Sequence, residues 1–130
     1  MSAAGPEPAM SAATEFLRAT ATNTTAPEPP GEDADAIFAA AFRAAVKLRF
    51  RTDAPLAAIT GSVRAATRRH AELVPVREAE MLIRSALGEK VPTGEIDRAS
   101  AVKVHVLLFA TLVEELALTD DELDELIAAL

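Results

Sequence analysis

The sequence predicts an all-α fold, a compact bundle of about five helices, and three observations support it. Apolar residues recur at spacings of three and four through most of residues 34–130. Breaks that contain Pro or Gly divide this stretch into segments of helical length. One long segment, residues 96–118, is apolar on most faces, which is typical of the central helix of a bundle. We therefore expect a helical bundle domain over residues 34–130, preceded by a disordered leader over residues 1–33.

The leader is an acidic segment rich in Pro, Ala and Thr that holds five of the eight prolines. Such a segment buries too little apolar area to offset its ordering entropy, which predicts disorder. Inside it, Phe16 and Leu17 fall near helical spacing with Met10 and Ala13, in a stretch without Pro or Gly. This stretch is either residual helicity without consequence or a short helix that docks on a partner through Phe16 and Leu17.

Two helices are predicted between residue 33 and residue 72. Asp33 or Asp35 is expected to cap the first helix, and Asp53, followed by Pro55, is expected to cap the second. Gly61 lies inside the second helix and weakens it by about 1 kcal/mol relative to Ala. The expected inner residues of the first helix are Ile37, Ala41, Ala45 and Leu48, with Phe38 and Phe42 beside them. Those of the second are Leu56, Ile59, Val63 and Ala66.

Three more helices are predicted after residue 74. Pro75 opens the third helix and Gly88 ends it, and a loop over residues 90–95 follows. The fourth helix should run from residue 96 or 97 to residue 118, about 33 Å at a rise of 1.5 Å per residue. Thr119 and Glu122 form a capping box that opens the last helix. The expected inner residues are Ala79, Leu82, Ile83, Ala86 and Leu87 on the third helix, Val102, Val106, Phe109, Leu112, Val113 and Leu116 on the fourth, and Leu123, Leu126, Ile127 and Leu130 on the last.

Two short stretches offer an alternative to this assignment. Residues 46–51 and 102–106 alternate with a period of two, as half-buried strands do. Each stretch lies inside a longer segment without Gly or Pro, and only a helix uses the flanking apolar residues. The all-helical fold is therefore favoured over a mixed fold.

The sequence contains no established catalytic or metal-binding motif. There is no Cys, which excludes disulfides, thiolate metal sites and Cys nucleophiles. The two histidines, His70 and His105, are far apart, and neither belongs to a metal motif. The acidic residues 120–125 lack the Gly and the ligand spacing of a calcium loop, which favours a solvated helix face. We predict a non-catalytic protein without a cofactor or a metal.

The targeting signals expected of exported or membrane proteins are also missing from the sequence. The amino terminus lacks a basic start followed by an apolar run. The longest strongly apolar stretch, residues 99–118, is interrupted by charged residues, which argues against a membrane span. Ten Arg against three Lys, with abundant Ala and Pro, suggest a bacterial gene of high GC content. We expect a soluble, cytoplasmic bacterial protein that does not engage a membrane.

The net charge of the chain reverses twice along its length. It is −5 over residues 1–36, +5 over residues 37–90 and −7 over residues 91–130. Segregated charge indicates that one part of the chain meets another part, another copy or a partner. Within the basic middle, cations recur every four residues on two predicted helices, so each set shares a helix face. These candidate partner-binding residues are Arg43, Lys47 and Arg51 on the first helix, and Arg64 and Arg68 on the second.

Several functions fit these features. The favoured one is a small interaction or adaptor protein, self-associating or docking an acidic protein partner through the basic face. The plainer alternative is solvation and pairing within the chain, such as Arg68 with Glu72 and Glu80 with Arg84. A third possibility is a scaffold whose leader recruits an enzyme through Phe16 and Leu17.

A small DNA-binding regulator is the runner-up. Residues 56–69 resemble a bacterial helix-turn-helix in which Gly61 makes the turn and the Ser/Thr/Arg-rich stretch that follows enters the major groove. The apolar residue expected directly after the Gly falls one place late, at Val63, and Thr60 occupies a position that is usually apolar. The acidic leader and carboxyl end would repel phosphates, so nucleic acid is the less favoured partner.

Overall fold

The computed structural model describes residues 8–21, with side chains from Thr14 onward, and residues 34–70 and 74–130. The described residues form helices and connecting turns without a β-strand, so the all-helical prediction is confirmed and the mixed fold is wrong. A short 3-10 turn, Thr93–Glu95, lies in the predicted loop. The six α-helices are α1 (Pro8–Ala21), α2 (Asp35–Arg49), α3 (Leu56–His70), α4 (Val76–Ala86), α5 (Arg98–Glu115) and α6 (Asp120–Ala128).

Local signals define most of the helix ends. The Thr119 hydroxyl accepts the Glu122 N–H at 3.2 Å, and the Glu122 carboxylate accepts the Thr119 N–H at 2.9 Å, which confirms the capping box. Asp97 caps α5 through the Ser100 N–H, and Gly88 follows α4 with a φ of 96°. The start of α2 differs from the prediction, because its N-cap is Ala34, without a side-chain bond.

Helix α5 packs against α1, α2, α3 and α4. Both ends of the helix reach solvent, since Arg98, Glu114 and Glu115 are exposed. The middle of the helix supplies a large share of the core because it is apolar on several faces, which lets it bury area against several helices at once. Its buried residues are Val104, Val106, Leu108, Phe109, Ala110, Thr111, Leu112 and Val113.

Two residues predicted to point inward are exposed instead. Leu48 and Leu56 are each 59% exposed. On α2 the buried row runs through Phe38, Phe42 and Val46 and continues to Phe50 just after the helix. The row through Phe42 is buried in place of the row that ends at Leu48 because its aromatic side chains bury more apolar area.

Helix α1 extends the packed part of the chain into the segment predicted to be a leader. Leu17 is fully buried, and the Phe16 ring lies 5.8 Å from that of Phe38 between centroids. The Arg18 guanidinium lies 2.7 Å from the Asp124 carboxylate of α6. The stretch folds because it lacks Gly, holds its one Pro at the first helical position, where Pro is tolerated, and has an apolar site to fill. The rest of the leader prediction concerns residues 1–7 and 22–33, which lie outside the described residues.

Candidate interaction surface on helix α2

Of the five predicted binding cations, Arg43 and Lys47 share one face of α2. Arg51 follows the helix, because α2 ends at Arg49 and Phe50 is extended, so the prediction that Arg51 lies on the same helix face is wrong. Lys47 and Arg51 line an open groove of about 780 Å³, bounded by Phe50 and by Leu87 and Gly88 at the end of α4. Arg43 lines an adjoining groove of about 220 Å³, and Ala86 belongs to the lining of both. The three cations thus form one continuous surface, which we call the α2 strip (Arg43, Lys47 and Arg51).

The cations of the α2 strip are exposed to solvent. Within the part of the chain that the structure describes, no ion pair joins any of them to a carboxylate. Asp53 also lines the larger groove but forms no ion pair with Lys47 or Arg51. Three neighbouring cations without an acidic partner create a local positive potential that attracts a carboxylate from another molecule.

Arg64 and Arg68 belong to a different surface. Both are exposed on α3, which packs against α4 and α5, and neither lines the grooves beside α2. The structure therefore divides the five predicted residues into the α2 strip and a separate pair on α3.

Helix α3 also departs from the helix-turn-helix resemblance. It runs unbroken from Leu56 to His70, so Gly61 makes no turn. Gly61 is exposed, and nothing lies within 4 Å of the place where a Cβ would stand. The roughly 1 kcal/mol cost of a helical Gly is small beside the burial of Ile59 and Val63 on either side of it.

Other arginines of the basic middle are neutralised within the chain. Arg49 Nε donates to Glu115 Oε1 at 3.1 Å, and Arg69 Nη1 lies 2.7 Å from Glu114 Oε2. Both contacts fall at the carboxyl end of α5, where cations also interact favourably with the helix dipole. Buried Ser62 donates its hydroxyl to the same Glu115 oxygen at 2.6 Å. Part of the charge segregation is thus satisfied between α2, α3 and α5.

Of the two ion pairs predicted at i,i+4, the one between Glu80 and Arg84 is replaced by other contacts. Arg84 pairs with Glu89 rather than with Glu80, and Glu80 instead accepts the Thr60 hydroxyl at 3.2 Å. The turn at Gly88 brings Glu89 back onto the last turn of α4, which accounts for the exchange of partner. Glu72, the predicted partner of Arg68, lies outside the described residues.

The two leader residues predicted to dock a partner are used inside the bundle. Leu17 has no exposed surface, and Phe16 is half-buried against Phe38. Docking of another protein through this pair would require α1 to leave its place on α2 and α5.

His105 lies under the α2 strip. Its ring centroid is 5.0 Å from that of Phe42, and it lines the same small groove as Arg43. Burial and, to a smaller extent, the charge of Arg43 lower the pKa of His105 to about 4, while the charge of Asp35 acts in the opposite direction. At neutral pH the strip therefore carries only its arginine and lysine charges, because the imidazole beneath it is uncharged.

We expect acid to destabilise the protein through His105. The folded pKa of about 4 lies below the ordinary value of 6.5, so the unfolded chain binds the proton first as the pH falls. Stability is complete above pH 6.5 and decreases toward pH 4, by about 2–3 kcal/mol from this group. Urea unfolding near pH 7 and pH 4.5 measures the loss, and His105→Leu is the control. An equal loss in both proteins would contradict the assignment, since the carboxylates are common to both.

The helical spacing in the sequence predicted the shared face of Arg43 and Lys47, but it placed Arg51 on a helix that ends before it and did not predict the surface beside the strip. Leu87 and Gly88 join the groove only because α4 packs against α2, and no local pattern reports that packing. The burial of Ser62, by contrast, could have been predicted from the sequence, since Ser62 lies three residues after Ile59 and four before Ala66 on the buried face.

Among the residues that the structure describes, no three acidic or histidine side chains are grouped so that they could hold a metal ion. Within the same ranges, no helix combines the length and the apolar character needed to cross a membrane. The fold and the surface together define an all-helical bundle with exposed cations on α2 and just after its end. Compared with protein-family models, curated proteins and solved structures, the chain matches none.

Proposed function

We propose that the protein is a non-catalytic interaction module that docks an acidic protein surface on the α2 strip. One observation carries the proposal: Arg43, Lys47 and Arg51 lie side by side along open grooves and, among the described residues, form no ion pair. Arg49, Arg69 and Arg84 of the same basic segment, by contrast, contact carboxylates of their own chain.

The spacing of the strip suits a helical or extended acidic segment. Arg43 and Lys47 are four residues apart on α2, so their Cβ atoms are about 6 Å apart, a spacing that a second helix with acidic residues at i,i+4 matches. Arg51 lies just beyond the end of the helix. Each exposed pair contributes only about 0.2–1 kcal/mol, so the apolar groove wall must contribute as well. Leu87 and Phe50 supply that wall, and the Arg49 guanidinium lies 4.8 Å from the centroid of the Phe50 ring.

Charge favours a protein partner over nucleic acid. The whole chain carries a net charge of −7, which repels a long polyanion such as duplex DNA. A short acidic segment experiences mainly the nearby cations, because the Debye length is about 8 Å at physiological salt. The unbroken α3 also lacks the turn on which the DNA-binding alternative depended.

We expect a fluorescein-labelled poly-glutamate peptide of about 20 residues, long enough to span the strip, to bind the protein. The variant Arg43→Ser/Lys47→Ser/Arg51→Ser should bind it about tenfold more weakly, because three contacts of about 0.5 kcal/mol each are lost. Fluorescence anisotropy at about 50 mM salt, where screening is weak, measures both affinities.

The matched control is Arg64→Ser/Arg68→Ser/Arg77→Ser, which removes the same charge from exposed positions away from the grooves. It should retain the affinity of the original protein. Equal weakening in both variants would mean that the peptide responds to net charge alone, and the proposal would fail. A random-sequence duplex in the same assay tests the nucleic-acid alternative. Tighter binding to the duplex than to the peptide, lost in the α2 variant, would assign the strip to DNA.

A further inference from the structure

We infer that the acidic partner of the α2 strip is helix α6 of a second copy of this chain. The inference rests on the proposed function, because the strip is the receiving surface in both. It adds the identity of the partner and the carboxylates that would meet the strip.

Helix α6 has one buried side and one acidic side. Leu123 and Ile127 face the core. Asp124 is already bonded to Arg18, and Glu122 takes part in the capping box. The remaining acidic residues of the exposed side include Asp121 and Glu125, and no ion pair to either is present among the described residues.

The two charged rows have the same repeat. Asp121 and Glu125 are four residues apart on α6, as are Arg43 and Lys47 on α2, so each pair presents charges about 6 Å apart on one helix face. Two helices packed side by side would therefore bring the carboxylates opposite two neighbouring cations of the strip.

The two rows do not meet within one chain. Helix α6 packs against α2 of its own bundle, yet none of the ion pairs between described residues joins the α2 strip to α6. Both rows are exposed to solvent, so two copies can bring them together. In a two-fold dimer the contact would occur twice, since each copy contributes one strip and one α6.

Salt should affect this contact in two ways. The net charge of −7 makes two copies repel each other at a distance, and about 0.1 M salt screens that repulsion with a Debye length near 10 Å. Direct ion pairs persist at this ionic strength and weaken near 1 M, where the Debye length is about 3 Å. Association is therefore expected to be strongest at moderate salt.

Sedimentation velocity of the full chain tests the inference. At about 0.1 M salt, the weight-average mass should rise from 13.7 kDa toward twice that value as the concentration increases from about 10 μM to 1 mM. The variants Asp121→Lys/Glu125→Lys and Arg43→Glu/Lys47→Glu should each stay monomeric. An equimolar mixture of the two should associate again, because each supplies the surface that the other has reversed.

Two further variants of the chain serve as controls. Asp121→Asn/Glu125→Gln removes the charges without placing cations in the first turn of α6, and circular dichroism checks its helix content. Arg77→Glu/Lys90→Glu changes the net charge by the same amount as the strip reversal, at exposed positions outside the α2 strip, and should associate like the original chain.

A chain that stays monomeric at 1 mM in about 0.1 M salt would overturn the inference. Association that persists in both reversal variants, or a mixture that fails to associate, would overturn it as well. Poly-glutamate binding by a monomeric chain would show that the strip receives a different acidic protein, so the inference would fail and the proposed function would stand. If the chain neither self-associates nor binds poly-glutamate, both the inference and the proposed function fail.

Discussion

Truncation of Phe109 to Ala is expected to lower the free energy of unfolding by about 3–5 kcal/mol. Phe109 has no exposed surface and lies in the middle of α5, the helix against which α1, α2, α3 and α4 pack. Removing the ring loses its burial and leaves a cavity that helices held from several sides cannot close. Since domains of this size have total stabilities of about 5–15 kcal/mol, the variant should be close to unfolding at moderate temperature.

Urea unfolding followed by circular dichroism measures this loss as a shift in the transition midpoint. Leu56→Ala is the control, because Leu56 is 59% exposed and its truncation should change stability by no more than about 0.5 kcal/mol. A loss below about 1 kcal/mol for Phe109→Ala would show that α5 is not the packed interior of the bundle.

The variant Leu17→Ala is expected to destabilise the protein by about 2–5 kcal/mol. Leu17 is completely buried although it belongs to a segment whose composition predicts disorder. Its side chain fills a site in the same core cluster as Phe38 and Phe42, so truncation leaves a cavity between α1 and the bundle. A disordered leader would instead make the substitution neutral, since an exposed side chain contributes almost nothing.

Leu48→Ala is the matched control for this measurement, because it is the same substitution at a site that is 59% exposed. Deletion of residues 1–33 provides a second measurement and should destabilise the remaining bundle at least as much as Leu17→Ala. If both changes are neutral in urea unfolding, α1 does not pack in solution. Phe16 and Leu17 would then be free for the partner docking that the sequence alone predicted.

The two results bear on how the charge of the chain is used. Arg18 of α1 contacts Asp124 of α6, so a packed α1 neutralises one carboxylate of the acidic end. Arg49 and Arg69 neutralise two more at the end of α5. The cations of the α2 strip line the grooves beside α2 and form no ion pair among the described residues. For this reason the strip, and not the whole basic middle, is the candidate surface.

The sequence by itself determined the features that depend on neighbours within about four residues. The five helices predicted over residues 34–130 correspond to α2 through α6. The capping box at Thr119 and the turn at Gly88 were also predictable, because each is a local exchange of backbone hydrogen bonds or a single backbone angle. The shared face of Arg43 and Lys47 follows in the same way from the helical repeat.

Only the tertiary structure decided which of these local features were buried, paired or left exposed. Leu48 and Leu56 satisfied the helical spacing and are nevertheless exposed. On α2, the row through Phe42 and Val46 is the one that is buried. Leu17 is buried because helices distant in sequence form an apolar site around it. The free energy of that burial depends on the packing and cannot be read from the composition of the segment. The pairing of Arg49 with Glu115 joins residues 66 positions apart, and a contact at that separation depends on how whole helices pack. For that reason the candidate cations were predictable, and their division into paired residues, the α2 strip and the α3 pair was not.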